Sequence, residues 1–157
     1  MIYAIDQQQG GVMYHNIILA YNGSEVGQQA LLASKELATW GQASLHLVAV
    51  MPFNLNSVVA EGIVYSAQEE KLQRESYQAV LEQGLSALEA DGYKATGELL
   101  SGDPVNEICE CARKKKADLI VVGHKHREGW VQRWWSGSVS QSLIEESPCS
   151  VFVSISQ

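Results

Sequence analysis

The sequence predicts an α/β fold: a single domain built on an open, five-stranded, mostly parallel sheet with helices on both faces. Three observations carry this. Short runs such as residues 17–21 (IILAY), 45–50 (LHLVAV) and 119–122 (LIVV) are apolar almost throughout, as strands covered on both faces must be. Longer segments with apolar residues at helical spacing separate them. Cap and turn residues stand at the boundaries, giving the order β-α-β-α-β-α-β-α-β.

Residues 17–21 form the first strand and deliver the chain into the turn Asn22-Gly23-Ser24. A helix follows over residues 24–40, with Val26, Ala30, Ala33 and Leu37 on one face, Ser24 or Asn22 as cap and Gly41 as terminator. The second strand covers residues 45–50, contains His46, and is closed by Pro52. Residues 53–65 show no period and are expected to be a mobile loop. The longest helix spans residues 66–90, carries the stripe Leu81, Leu85 and Leu88, and stops at Asp91-Gly92. A third strand is expected over residues 94–100. Gly102-Asp103-Pro104 then sets Asp103 as N-cap and Pro104 at the first helical position, with Val105, Ile108 and Ala112 facing the core. The fourth strand, a short helix Ser138–Glu146 and a fifth strand over residues 150–155, introduced by Pro148, complete the order.

At 157 residues with 46% hydrophobic content, the chain has the size of one domain with its own core. Residues 1–13, ending in Gln7-Gln8-Gln9-Gly10-Gly11, read as a flexible tail ahead of a domain over residues 14–157. A net charge of -7 repels phosphate backbones and anionic lipid, so neither nucleic acid nor a membrane is an expected partner. The basic run Arg113 to Lys116 falls in the last turn of a helix, where cations oppose the negative end of its dipole. Three cysteines, Cys109, Cys111 and Cys149, imply no disulfide framework. With no apolar run of membrane-spanning length, they point to a reducing, cytoplasmic setting.

In parallel sheets, ligands sit at the carboxyl ends of the strands, near the point where strand order reverses. The candidate site is therefore Tyr21-Asn22-Gly23, Val50-Met51 and Val122-Gly123, with helix amino-termini supplying free N–H groups suited to a phosphate. Gly123 and Ser136-Gly137-Ser138 bracket the fourth connection with small residues, as close backbone approach to a ligand requires, though turns and caps use glycine equally. His124 and His126 have no third ligand at metal-binding spacing. Ser136, Ser138, Ser140 and Ser142 lack a base-and-orienter constellation, which leaves them capping and solvent contact. Trp130, Trp134 and Trp135 cluster in a polar stretch and need cover, from the chain's own body or from a protein partner.

Several of these stretches resemble the universal stress protein family over residues 14–154. Tyr14 to Ser24 resembles its opening strand and turn, Ser101-Gly102-Asp103-Pro104 its entry to the third helix, and Ala117 to His124 its fourth-strand signature. Gly137-Ser138-Val139-Ser140 followed by Ser147 to Val153 resembles its C-terminal signature. The resemblance implies a Rossmann-like fold of the adenine nucleotide alpha hydrolase type and a stress-response regulator. It implies ATP or AMP as ligand, with Mg only alongside ATP. It assigns Val50 to the adenine pocket and Ala20, Tyr21 and Asn22 to base and ribose. Val122, Gly123, Gly137, Ser138, Val139 and Ser140 line the phosphate end, with His124 and His126 able to pair with phosphate charge.

The family's nucleotide-binding motif is kept in part. Gly123 and Gly137-Ser138 match, His126 replaces the second glycine, the following span is one residue longer, and Asn22 stands where Asp is usual. The alternative is a nucleotide-independent homodimeric module acting through protein partners. The family's dimer implies pairing of the last strand, here Val151, Phe152 and Val153, with its copy. Catalysis is not expected beyond slow ATP hydrolysis, since no carboxylate is evidently placed to orient water. A flavodoxin-like electron carrier is set aside, because Asn22-Gly23-Ser24 is too short for its phosphate loop.

Overall fold

The structure, a computed structural model, describes residues 14–52, 67–125 and 138–156. The expected tail, the 53–65 loop and the three tryptophans lie outside these residues. Among the described residues five strands and four helices alternate: β1 (Asn16–Ala20), α1 (Glu25–Gly41), β2 (Ser44–Met51), α2 (Ala67–Ala90), β3 (Ala95–Ser101), α3 (Pro104–Lys115), β4 (Leu119–Lys125), α4 (Ser138–Glu146) and β5 (Ser150–Ser156). The sheet order is β3-β2-β1-β4-β5, and every neighbouring pair is parallel.

The alternation of side chains along each strand divides the core into two layers. Ile17 and Leu19 of β1 and Tyr21 just after it, with Leu45, Leu47 and Ala49 of β2, pack under Ala30, Leu31 and Ala38 of α1 and Leu81 and Leu88 of α2. Ile18 and Ala20, with Val48, Val50, Ile120 and Val122, face Val105, Ile108 and Ala112 of α3 and Val139 and Leu143 of α4. Each fully buried aliphatic side chain contributes about 1.5–3 kcal/mol, so the central strands anchor both layers. The stripes expected on α2 and α3 are those that pack on the core; on α1 the face is shifted, with Val26, Ala30, Leu31 and Ala38 buried and Ala33 and Leu37 only partly so.

Helix starts follow the expected capping chemistry. The Ser24 hydroxyl accepts from the Gly27 N–H at 3.1 Å, and the Asp103 carboxylate accepts from the Asn106 N–H at 3.0 Å with Pro104 opening the helix. One end differs. α1 runs through Gly41, and its left-handed cap falls on Gln42 at φ 54, whose N–H donates to the Ala38 carbonyl. Closing the helical turn on Ala38 fixes the cap's position, which outweighs the preference for glycine. At the amino edge, the Asp118 carboxylate accepts from the backbone N–H groups of His15 and Asn16 at 2.7 and 3.0 Å, tying the entry of β1 to that of β4.

β3 and β5 are the edges. β3 packs Ala95 and Leu99 on the α2 side, while its other face carries Thr96 and Glu98 with Leu100 packed on the α3 layer. β5 leaves Phe152 and Ile155 exposed, and Ile144 on α4 is exposed as well. Among the described residues no helix is long and apolar enough to cross a membrane.

Candidate functional site

Strand order reverses between β1 and β4: the chain moves outward from β1 through β2 to β3, then crosses back to β4 on the other flank. The carboxyl ends of β1 and β4 therefore open a crevice with Ala20 registered against Val122. Tyr21 continues β1 through an N–H to the Val48 carbonyl at 2.9 Å. Its side chain points away from the crevice layer and is fully buried under α1 and α2, where the hydroxyl accepts from Gln28 at 2.9 Å. Burial raises the pKa of that hydroxyl, against the opposing effect of the Gln28 hydrogen bond. Tyr21 thus offers the crevice only its backbone.

The turn that follows is held locally. The Asn22 side-chain oxygen accepts from the Ser24 N–H at 3.0 Å and the Ser24 hydroxyl at 2.6 Å, and that hydroxyl in turn caps α1. Gly23 takes φ 74, a left-handed conformation that suits glycine, and a Cβ there would press Val80 of α2 at 3.1 Å. Asn22 is therefore first a turn-forming residue whose acceptor is engaged by Ser24.

Across the crevice, Gly123 has a reason of its own. A Cβ there would stand 2.7 Å from the Val26 carbonyl oxygen and 2.7 Å from its Cγ1, so glycine lets the first turn of α1 rest directly on β4. The next side chain, His124, returns to the α4 layer, with Nδ1 3.3 Å from the Ser140 hydroxyl. Ser140 is 4% exposed, which corrects the expectation of a solvent-facing serine: the first turn of α4 folds it back over β4. Val139 beside it packs into the Ala20, Val50 and Val122 layer.

The fold thus brings together Ala20, Val50, Val122 and Val139 as one apolar wall, with His124, Ser140 and the amino-terminus of α4 at Ser138 beside it. His126 and Gly137 lie outside the described residues. An adenine nucleotide needs an apolar surface for its base and hydrogen-bond donors for its phosphates; here the four apolar side chains are at most 5% exposed and the start of α4 lies beside them. A further polar group at this edge escaped the sequence reading. The Ser101 hydroxyl, at the end of β3 opposite Met51, is buried and has no hydrogen-bond partner among the described residues. Such an orphan costs roughly 1–3 kcal/mol unless something binds it. Its only signal in the sequence was its place beside Gly102-Asp103-Pro104.

These features define a Rossmann-like α/β domain whose ligand edge is the β1/β4 switch point. Comparison with known proteins narrows the class. The model of the universal stress protein family matches residues 13–154, and the chain belongs to that family. A universal stress protein of Methanocaldococcus jannaschii, MJ0531, is 34% identical over 149 residues, covering 93% of this chain and 85% of the relative. A solved member from Burkholderia pseudomallei is 26% identical with a TM-score of 0.70, over 91% of this chain and 97% of its own. An Arabidopsis thaliana member solved with AMP bound shares the fold at 19% identity and TM-score 0.62, over 91% and 92% of the two chains. An Archaeoglobus fulgidus member in complex with dAMP shares it at 19% and 0.63, over 90% and 98%.

Proposed function

We propose that the chain is a stress-response regulator that holds ATP or AMP at the carboxyl edge of its sheet. The observation that carries this is the convergence of Ala20, Val50, Val122 and Val139 beside the His124–Ser140 pair and the amino-terminus of α4. In this reading the apolar wall takes the adenine, and the backbone near Ala20 to Asn22 takes base and ribose. Gly123, Ser138, Val139 and Ser140, with Gly137 and His126, take the phosphates. Imidazole and hydroxyl donors then supplement the helix-end N–H groups. Mg enters only with ATP, because the uncharged Asn22 contributes less to holding a cation than a carboxylate would. AMP and dAMP in proteins of the same fold support the ligand class.

The nucleotide alters what a dimer can bind. The dimer is formed by β5 pairing with its copy, which covers Phe152 and places Val151 and Val153 at the seam. The edge position of β5 and the exposure of Phe152 and Ile155 along it favour this surface. Further contact with a protein partner falls to Trp130, Trp134 and Trp135. The test is mass analysis of nucleotide released from protein purified without added ligand, with calorimetric titration of ATP, ADP and AMP. Recovered or saturably titrating adenine nucleotide supports the reading. A clean negative overturns it and leaves the nucleotide-independent dimer.

A further inference from the structure

Far from the carboxyl edge, a polar cluster joins β2, β3 and α3 in an otherwise apolar layer. His46, third residue of β2 and 8% exposed, lies beside Thr96 in the ladder and diagonally across from Glu98. Its Nδ1 is 2.6 Å from the Thr96 hydroxyl and its Nε2 is 2.9 Å from Glu98 Oε1. The Cys111 thiol, from the penultimate turn of α3, donates to the same Oε1 at 3.2 Å, and Lys115 approaches it at 4.0 Å. A histidine, a carboxylate and a thiol from three different elements thus converge, with their donor atoms all within 4.8 Å of one another.

We propose that His46, Glu98 and Cys111 form a binding site for a zinc-like divalent cation. Tetrahedral zinc takes nitrogen and oxygen at about 2.0–2.2 Å and sulfur at about 2.3 Å, which places neighbouring donors about 3.3–3.7 Å apart. The observed separations of 2.9 and 3.2 Å are those of hydrogen bonds, and a spread of about half an ångström converts them to ligand spacings. A mixed nitrogen, oxygen and sulfur set selects zinc over magnesium or calcium, which prefer oxygen alone.

Thr96 supplies the outer support that metal-bound histidines use: its hydroxyl fixes the ring through Nδ1 and leaves Nε2 to face the ion. The Glu98 side chain is 40% exposed, so the fourth position opens to solvent and provides the path of entry. Binding replaces the thiol proton: Sγ–H breaks, the proton leaves to solvent, and a sulfur–metal bond forms. Thiolate and carboxylate then balance the two charges of the ion, and Lys115 loses its hold on Glu98. Burial, reinforced by the hydrogen bond and negative charge of Glu98, pushes the Cys111 pKa up to about 12, so the metal-free site holds a protonated thiol. The bound ion would clasp edge strand β3 to α3.

The test is titration of chelator-treated full chain with Co2+, followed by its displacement with Zn2+. The expected result is a single equivalent with tetrahedral d–d bands and thiolate-to-cobalt charge transfer, lost in Cys111→Ser and weakened at least tenfold in His46→Gln. In the unmutated chain, Zn2+ should displace Co2+ with loss of the charge-transfer band, and binding should release about one proton per ion into weakly buffered solution, a readout that does not depend on a variant folding. Absence of the thiolate band, its persistence in folded Cys111→Ser, or metal binding with no proton release would each overturn the site.

Discussion

Replacing Gly123 with Ala adds one methyl group where the backbone of α1 rests directly on β4, and its effect separates packing from ligand binding. The new Cβ would lie 2.7 Å from the Val26 oxygen and 2.9 Å from its carbonyl carbon, against an ordinary contact of 3.4 Å or more. Backbone cannot rotate away as a side chain can, so the first turn of α1 must lift from β4 by roughly half an ångström. Overpacking of this kind costs about 1–3 kcal/mol. For a chain of this size that is a fall of about 2–12 °C in thermal midpoint. The assay is thermal unfolding of the ligand-free protein followed by circular dichroism. An unchanged midpoint would refute the reasoning, and so would full rescue by Val26→Ala, because that change removes Cγ1 and leaves the clashing carbonyl in place. The consequence for the nucleotide is direct: lost binding in a Gly123 variant would report a shifted helix as readily as a lost phosphate contact.

Other perturbations follow from the same structure. Asp103→Ala should cost about 0.5–2 kcal/mol by removing the α3 cap, measured by denaturant unfolding, and Asp103→Asn should restore most of it. If the chain pairs through β5 as proposed, Phe152→Glu should sediment as monomer where the unmutated chain sediments as dimer, whereas an unchanged dimer would place the interface elsewhere. Burial raises the Cys149 thiol above its ordinary value of 9.0, although the Ser147 hydrogen bond works the other way. A group raised in this way stays protonated near neutrality, so Cys149 should alkylate slowly at pH 7 and faster as pH rises past its raised value. Fast labelling at neutral pH would contradict that environment. Buried Cys109 should remain protected under the same conditions.

How much of this was legible in the sequence depended on whether the signal was local. The strands at residues 17–21 and 119–122, the Asp103-Pro104 helix start and the Leu81, Leu85 and Leu88 stripe announce themselves through runs, caps and periods, and the structure follows them. β3 is less apolar than its neighbours because it is an edge, yet the flanking turn residues still placed it. The site was legible only as an edge. Topology brings Ala20 and Val50 into one layer with Val122 and Val139, and no pairwise spacing contains that information. Gly123 illustrates the limit: its spacing suits a phosphate, whereas the Val26 carbonyl shows that packing alone already requires glycine there. The Cys111 contact with Glu98 is of the same kind, since 13 residues and the β3–α3 turn separate two groups that the fold sets 3.2 Å apart.

The central claim is that an adenine nucleotide sits at the β1/β4 switch point, and hydrogen exchange with and without saturating AMP tests it most directly. The account predicts slowed exchange in peptides covering Tyr21 to Ser24 and Ser138 to Gln141, with the β3–α3 cluster around Glu98 and Cys111 unchanged. Uniform exchange across these peptides, or protection confined to another edge of the sheet, would contradict it.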